Sequence, residues 1–423
     1  MTFRVRVSVA AVAITVVSAA FCGGRTALAR AASAASASSG SASATTPRSP
    51  SSADTDEGKK GTETRQPAPE GGERNDGAIV RAEFIHEPGA YPQCHASTIV
   101  ETPDGGLVAA WFGGTHERNP DVCIWSRRFA HGVWLPEVKV ADGVQADGTR
   151  YPCWNPVLFR PRQGPMVVYY KVGPSPSTWW GEFATSGDDG NTWSKSQRLP
   201  DGILGPIKDK PLELADGTIL CGSSTESPKD GWHVHVERTT GVGRPWTKTA
   251  PLASDGFNAI QPTLLIHRDG PLQMLCRTKE MEVATSWSSD GGLTWTPLAA
   301  SGLYAPNSGL DVVSLADGRQ LLVYNYRDAT RAAAMNPKSA ALGAPSQAGI
   351  RRPDEDWGVR WPLNVSISPD GVHWKMVLTL ESQPRKDGYA YPAVIQTHDG
   401  LVHITYTWDR VKIKHVVIDP AKL

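Results

Sequence analysis

Six stretches of this chain bring a candidate side chain to the same point of a repeated frame. Counting back eight or nine residues from each of six turn signals reaches His95, Trp154 or Asn155, Lys208, Gln261, Ser308 and Tyr391. Five of the six places carry polar or ionisable groups where the next residues are apolar. Strands that only had to pack would not aim such groups at one axis, so these positions are read as the floor of a concave site. Arg277 follows Leu275-Cys276, and Arg360 precedes the run Trp361 to Ser366. A guanidinium is a flat fork of donors that suits a carboxylate bidentately, so two of them near Tyr391 point to a ligand carrying a carboxylate. Either arginine alone is as well explained by a surface position or by an ion pair between repeats.

Other groups have competing readings. Glu226 ends Ser223-Ser224-Thr225-Glu226 and offers a base, although Lys210 and Glu226 read equally as a solvated rim pair. His233, His235 and Glu237 alternate on one strand. Without a further ligand in view they read as a polar strand face rather than a metal site, so no metal or cofactor is expected. Trp154, Trp179 and Trp180 offer faces for stacking on a ligand, with blade packing as the plain alternative.

The elements that must position these residues follow from the turns. They are Asp104-Gly105, Gln163-Gly164, Asp216-Gly217, Asp269-Gly270, Asp317-Gly318 and Asp399-Gly400, each between short β-rich runs. Later in the repeat comes a second turn, Ser-x-Asp-x-Gly-x-Thr-Trp, complete at Ser186 to Trp193 and Ser288 to Trp295. It is one residue short at Ser368 to Trp374 and survives as an echo at Trp134 and Trp246. The Asp carboxylate is suited to accept from backbone N–H groups, Gly to a left-handed or close-approach position, and Trp to plugging the gap between sheets. Repetition at about 50 residues is the mark of a propeller. The fold class is therefore all-β, a six-bladed β-propeller of four-stranded antiparallel blades. The strand near Phe84 is expected to complete the last blade beside Ile413 to Ile418. The fifth repeat is expected to lack the Trp-ended turn and to carry an insertion at 330–357, and Trp361 to Ser366 is read as a strand of the last blade.

Residues 1–29 read as a signal peptide, with Arg4 and Arg6, an apolar core Val7 to Phe21, and Ala27-Leu28-Ala29 as cleavage site. Residues 30–77 are Ala/Ser/Pro-rich with almost no large apolar side chain and read as a disordered linker. The propeller then occupies 78–423. These features lead to an expectation of export, to the periplasm or outside the cell, as a soluble monomer with no membrane contact after signal removal. Lys+Arg 43 against Asp+Glu 43 gives no net charge and argues against nucleic acid as a partner. Cys94, Cys123, Cys153, Cys221 and Cys276 match no zinc spacing and read as buried small hydrophobes.

The boxes, the six repeats and the placement of Arg277, Arg360 and Tyr391 resemble the sialidase (neuraminidase) superfamily, closest to its bacterial Asp-box branch, from about residue 80 onward. The resemblance implies three arginines on a substrate carboxylate, a Tyr nucleophile paired with a Glu, and an Asp acid/base. It implies Arg277 and Arg360 as the second and third arginines and Tyr391 as the nucleophile, the exception that sialidases make among glycosidases. The chain departs from the pattern at two places. His95 stands where the first arginine is expected, and Gln261 where the glutamate is expected. The acid/base is expected between Gly114 and Ile124, where His116, Glu117 and Asp121 lie. Lys208 or Lys210 could replace the missing cation, His95 could act as acid or base, and Glu226 could serve as base. The function these residues imply is an exo-acting glycosidase on a terminal acidic sugar, either sialic acid or a related keto acid or uronic acid. A polysaccharide lyase using His95 or Tyr391, and a non-catalytic carbohydrate-binding propeller, are the alternatives on the same scaffold.

Overall fold

A computed structural model describes residues 76–89, 91–254, 256–327 and 357–423. The signal peptide expected at 1–29, nearly all of the linker at 30–77, and the insertion at 330–357 apart from Trp357 lie outside them. The first strand is β1 (Ile79–His86), and blade one follows with β2 (Gln93–Glu101), β3 (Leu107–Gly114), β4 (Cys123–Ala130), β5 (Val133–Trp134) and β6 (Val138–Ala141). Blade two holds β7 (Cys153–Phe159), β8 (Met166–Val172), β9 (Trp180–Ser186) and β10 (Gln197–Arg198). Blade three holds β11 (Leu212–Glu213), β12 (Ile219–Ser227), β13 (Gly231–Thr239) and β14 (Thr247–Lys248). Blade four holds β15 (Ala259–Ile266), β16 (Leu272–Thr278), β17 (Glu282–Ser288) and β18 (Ala299–Tyr304). Blade five holds β19 (Asp311–Ser314), β20 (Gln320–Tyr324), β21 (Leu363–Ser368) and β22 (Lys375–Glu381). Blade six holds β23 (Tyr389–Gln396), β24 (Val402–Trp408) and β25 (Lys412–Ile418), and β1 pairs antiparallel with β25 to complete it.

The second strand of a blade is covered on both faces by its neighbours, which is why β3, β8, β16 and β20 are buried at every position. The core therefore lies between blades. Val108 and Ala110 of blade one pack with Leu158, Met166 and Val168 of blade two, and Leu220 and Val234 of blade three pack with Leu264 and Met274 of blade four.

The complete Trp-ended turns, and the shortened one at Ser368 to Trp374, pack against the blade before their own. In the turn between β17 and β18, Asp290 accepts from the backbone of Leu293 and Thr294 at 3.0 Å each, and the Ser288 hydroxyl accepts from Gly292 N at 2.9 Å. Hydrogen bonds from Thr294 hold the Asp290 carboxyl below its ordinary range. Gly292 has φ +79°, and a Cβ there would stand 2.9 Å from Leu220 of the preceding blade. The equivalent Gly190 faces Val108, again on the second strand of the blade before. Gly292→Ala should therefore cost about 1–3 kcal/mol more in urea unfolding than Gly105→Ala. Gly105 has a similar φ of +75° with nothing within 4 Å, so equal losses would show that the contact with the preceding blade carries no weight.

Two expectations are corrected. The strand after Arg360 is β21, third in the fifth blade, not part of the last. The turn Ser368 to Trp374 joins β21 to β22, so the fifth blade has its Trp-ended turn, and Asp370 accepts from Val372 and His373 N at 2.9 and 2.8 Å.

Candidate active site

The inner strands of blades one, two, four and six share one irregularity. Their pairing with the second strand skips two residues, after His95, Trp154, Ile260 and Ala390 respectively. The first skipped residue has a left-handed backbone: Ala96 at φ 56°, Asn155 at 36°, Gln261 at 54° and Tyr391 at 54°. In three of the four the next residue is proline, which has no N–H to leave unpaired. A bulge of this kind re-aims one side chain out of the sheet, at a strain of about 1–3 kcal/mol per residue that the surrounding packing must offset. Here it brings Asn155, Gln261 and Tyr391 into one cavity of about 880 Å³.

Tyr391 is at the centre. Its phenol oxygen accepts from Arg277 Nη1 at 2.7 Å and from Gln261 Nε2 at 3.1 Å. With both donors on the oxygen's acceptor side, the phenol's own proton is left for the cavity or a ligand. Arg277 is pinned in turn: Nη1 also donates to Gln261 Oε1 at 3.0 Å and Nε to Asn307 Oδ1 at 2.6 Å. Its guanidinium carbon lies 5.0 Å from the ring centre of Trp357 and 5.7 Å from that of Trp232. Arg360 lines the same cavity, 5.8 Å from the Tyr391 ring, and its Nη2 lies 3.4 Å from the Asn307 carbonyl. Burial, then the charge of Arg277, pushes Arg360 down to about 10, so it is still cationic near neutrality.

A third guanidinium comes from a place the repeat does not mark. Arg410 follows β24, and both Asp409 and Arg410 have left-handed backbones, at φ 51° and 55°. This turn folds over blade one, where the Arg410 carbonyl accepts from Cys94 N at 2.9 Å. The Arg410 side chain lines the cavity and donates to Glu117. Burial opposes its charge, but Glu117, Tyr391 and Asp387 together outweigh burial and raise its pKa. Arg118, Arg385 and Lys386 add further cations to the lining. Asn155, Trp179 and Glu226 also line the cavity. Burial pushes the Glu226 carboxyl up, against the charges of Arg277 and Lys279.

The remaining sequence candidates lie outside this lining. His95 is 2% exposed and directly beneath Tyr391, with ring centres 4.2 Å apart and Nδ1 2.9 Å from the Thr407 hydroxyl. Burial, then Arg410, Arg360 and Arg277, hold its pKa well below the usual range, which disfavours the imidazolium. The bulge register makes Ala96, not His95, the counterpart of Tyr391. Lys208 is buried and donates to Asp209 at 2.6 Å, Leu310 O at 2.9 Å and Pro392 O at 2.7 Å. It holds a carbonyl that the Tyr391 bulge frees from the ladder. Lys210 binds Asp311 at 3.0 Å, and Asp311 accepts from Val394 N at 2.8 Å just past the same bulge. Both lysines act on the backbone beneath Tyr391 rather than on the cavity. Asp121 is taken up by Thr115, whose hydroxyl donates to it at 2.6 Å. Trp154 donates to the Gly173 carbonyl at 2.8 Å and backs Trp179 edge-on at 5.8 Å. Ser308 is buried, and its neighbour Asn307 does the work between the two arginines.

His235 and Glu237 pair at 3.0 Å, and Glu237 also accepts from Leu204 and Gly205 N. Among the described residues no group of three or more His, Cys, Asp or Glu side chains is placed to hold a metal. The five cysteines are free and buried.

The family pattern for a BNR repeat-like domain matches residues 105–404, more than two thirds of the chain. Among curated proteins no sequence matches. Among solved structures, a Dyadobacter fermentans protein of unknown function is 16% identical with a TM-score of 0.61, over 81% of this chain and 98% of that one. The intramolecular trans-sialidase of Ruminococcus gnavus, solved with oseltamivir carboxylate, is 13% identical with a TM-score of 0.59, over 84% and 99%. An α-L-arabinanase of Penicillium chrysogenum, solved with arabinobiose, is 16% identical with a TM-score of 0.54, over 81% and 98%. At such identities the likeness concerns the propeller alone, which hosts more than one chemistry. With six blades, repeated Asp-box turns and a match across most of its length, the chain belongs to the BNR repeat-like domain family.

Proposed function

We infer that the protein is a glycoside hydrolase acting on a terminal acidic sugar, with Tyr391 as nucleophile. The observation that carries this reading is the gathering of Arg277, Arg360 and Arg410 around the Tyr391 phenol in one cavity. Guanidinium groups held by Asn307, Gln261 and Glu117 are pre-oriented, and a sugar carboxylate is the ligand whose planar, charged oxygens they match. A volume of about 880 Å³ accommodates a monosaccharide with part of its neighbour. Trp179 and Trp357 give the cavity aromatic walls for the sugar faces. The carboxylate would lie against the arginines with the anomeric carbon at the Tyr391 oxygen, and Asn155 would meet hydroxyls of the sugar. Residues 1–29 support export. Mature protein recovered from the periplasm or medium should then lack this segment, and an intact amino terminus there would count against it.

The test is hydrolysis of fluorogenic glycosides by the purified protein. The panel is N-acetylneuraminic acid, its deaminated keto-acid analogue, glucuronic acid, and glucose as the neutral counterpart of the last. Turnover of at least one acidic sugar, with the neutral counterpart slower by roughly 100-fold, is expected, since losing a bidentate charged contact costs on the order of 3 kcal/mol. An unsaturated, ultraviolet-absorbing product would instead make the protein a lyase with Tyr391 as its base. Quenching of tryptophan fluorescence by the sugars without turnover would make it a binding protein.

A further inference from the structure

We propose that Glu226, at the end of β12, is the proton donor to the leaving group and the base that activates water afterwards. This rests on the glycosidase reading above and moves the acid/base from the loop after β3 to the hairpin of blade three.

The carboxylates of the cavity differ in what they are committed to. Glu117 is tied to Arg410, the cation that stands over blade one. Asp387 sits on the outer loop with Arg385 and Lys386, also within the field of Arg410. Asp121, nearer to the expected place, is spent on Thr115 and does not reach the lining. Glu226 is half-buried in the wall and has no side-chain hydrogen bond among the described residues. Its position is fixed by the antiparallel register Glu226 to Trp232, and Trp232 is one of the rings that flank Arg277. The strand pairing that builds the arginine site thus also delivers this carboxyl to it.

The charged groups around Glu226 are Arg277 and Lys279 from blade four, and Glu117 and Arg118 from the loop after β3. Burial outweighs the two nearer cations and keeps the proton on to a higher pH than an ordinary carboxyl allows. A general acid must hold its proton at the working pH, so this environment suits the role.

The Tyr391 phenol releases its proton to cavity water and its oxygen attacks the anomeric carbon. The bond from that carbon to the leaving oxygen breaks, and the leaving oxygen takes the proton from Glu226. In the second step the Glu226 carboxylate takes a proton from water, whose oxygen attacks the same carbon. The bond to Tyr391 then breaks and the phenolate regains a proton from solvent. The sum is hydrolysis with one water consumed.

The experiment compares Glu226→Gln with wild type on two glycosides of one acidic sugar, an activated nitrophenyl glycoside and a methyl glycoside. Loss of the acid should cost roughly 10²–10⁴-fold in kcat/KM on the methyl glycoside, which needs protonation, and under about 10-fold on the aryl one. The alkaline limb of the wild-type pH profile should also disappear in the variant. Equal losses on both glycosides, or the same split appearing in Glu117→Gln or Asp387→Asn instead, would overturn the assignment and leave the hydrolase standing. Absence of turnover by wild type on either glycoside would overturn both.

Discussion

Tyr391→Phe is expected to lower kcat/KM on an acidic glycoside by roughly 10³-fold or more while leaving the melting temperature within a few degrees of wild type. The substitution deletes one oxygen. The ring keeps its place over His95, at 4.2 Å, and between the guanidinium groups of Arg277 and Arg360, at 5.7 and 5.8 Å. What it loses is the atom that two donors hold towards the ligand. Arg277 Nη1 keeps its bond to Gln261, and cavity water can replace the lost acceptor, so the fold has little reason to suffer. A variant that keeps a tenth or more of wild-type activity would show that the phenol is not the attacking group.

Arg277 should be nearly as sensitive, and lysine should not rescue it. Arg277→Ala and Arg277→Lys are each expected to reduce kcat/KM by roughly 10²–10³-fold. One guanidinium bonds Asn307, Gln261 and Tyr391 at once and stands 5.0 and 5.7 Å from the ring centres of Trp357 and Trp232. An ammonium keeps the charge but offers neither the plane nor the fork. Because Arg277 and Tyr391 share a hydrogen bond, the double variant Arg277→Ala, Tyr391→Phe should lose much less than the sum of the single losses. Near-normal activity in Arg277→Lys would mean that the site needs only a point charge there.

The overall architecture was legible because it is repetitive. Asp-Gly turns, Trp-ended boxes and second strands rich in apolar residues recur often enough that any one lapse does little harm. The lapse at Ser368 to Trp374 still misleads: after a long insertion the strand before this box reads as part of the last blade and the fifth repeat as lacking a box, whereas both belong to the fifth. The site was legible where the repeat itself carries it, at Asn155, Gln261 and Tyr391, each followed by proline. The same count gave His95 instead of Ala96 and Ser308 instead of Asn307. Spacing is good to about one residue, whereas a bulge turns a one-residue shift into the opposite face of the strand. The absent proline after Ala96 was the local sign that blade one differs. Arg410 left no such sign. Its role depends on a turn of the last blade folding over the first, a contact between residues 94 and 410 that no local pattern encodes. The sequence offers Lys208 and Lys210 as replacements for the missing cation, but their targets, Pro392 O and Asp311, are non-local as well.

Tyr391 is proposed here as the nucleophile of an acidic-sugar hydrolase. The most direct measurement is mass spectrometry of the protein after incubation with a fluorinated analogue of whichever acidic sugar it turns over, followed by peptide mapping. Fluorine beside the anomeric centre slows release of the intermediate, so the account predicts a stoichiometric mass gain located on Tyr391 and absent from Tyr391→Phe. Rapid turnover of the parent glycoside with the adduct on another residue, or with no adduct under conditions that inactivate the enzyme, would contradict it.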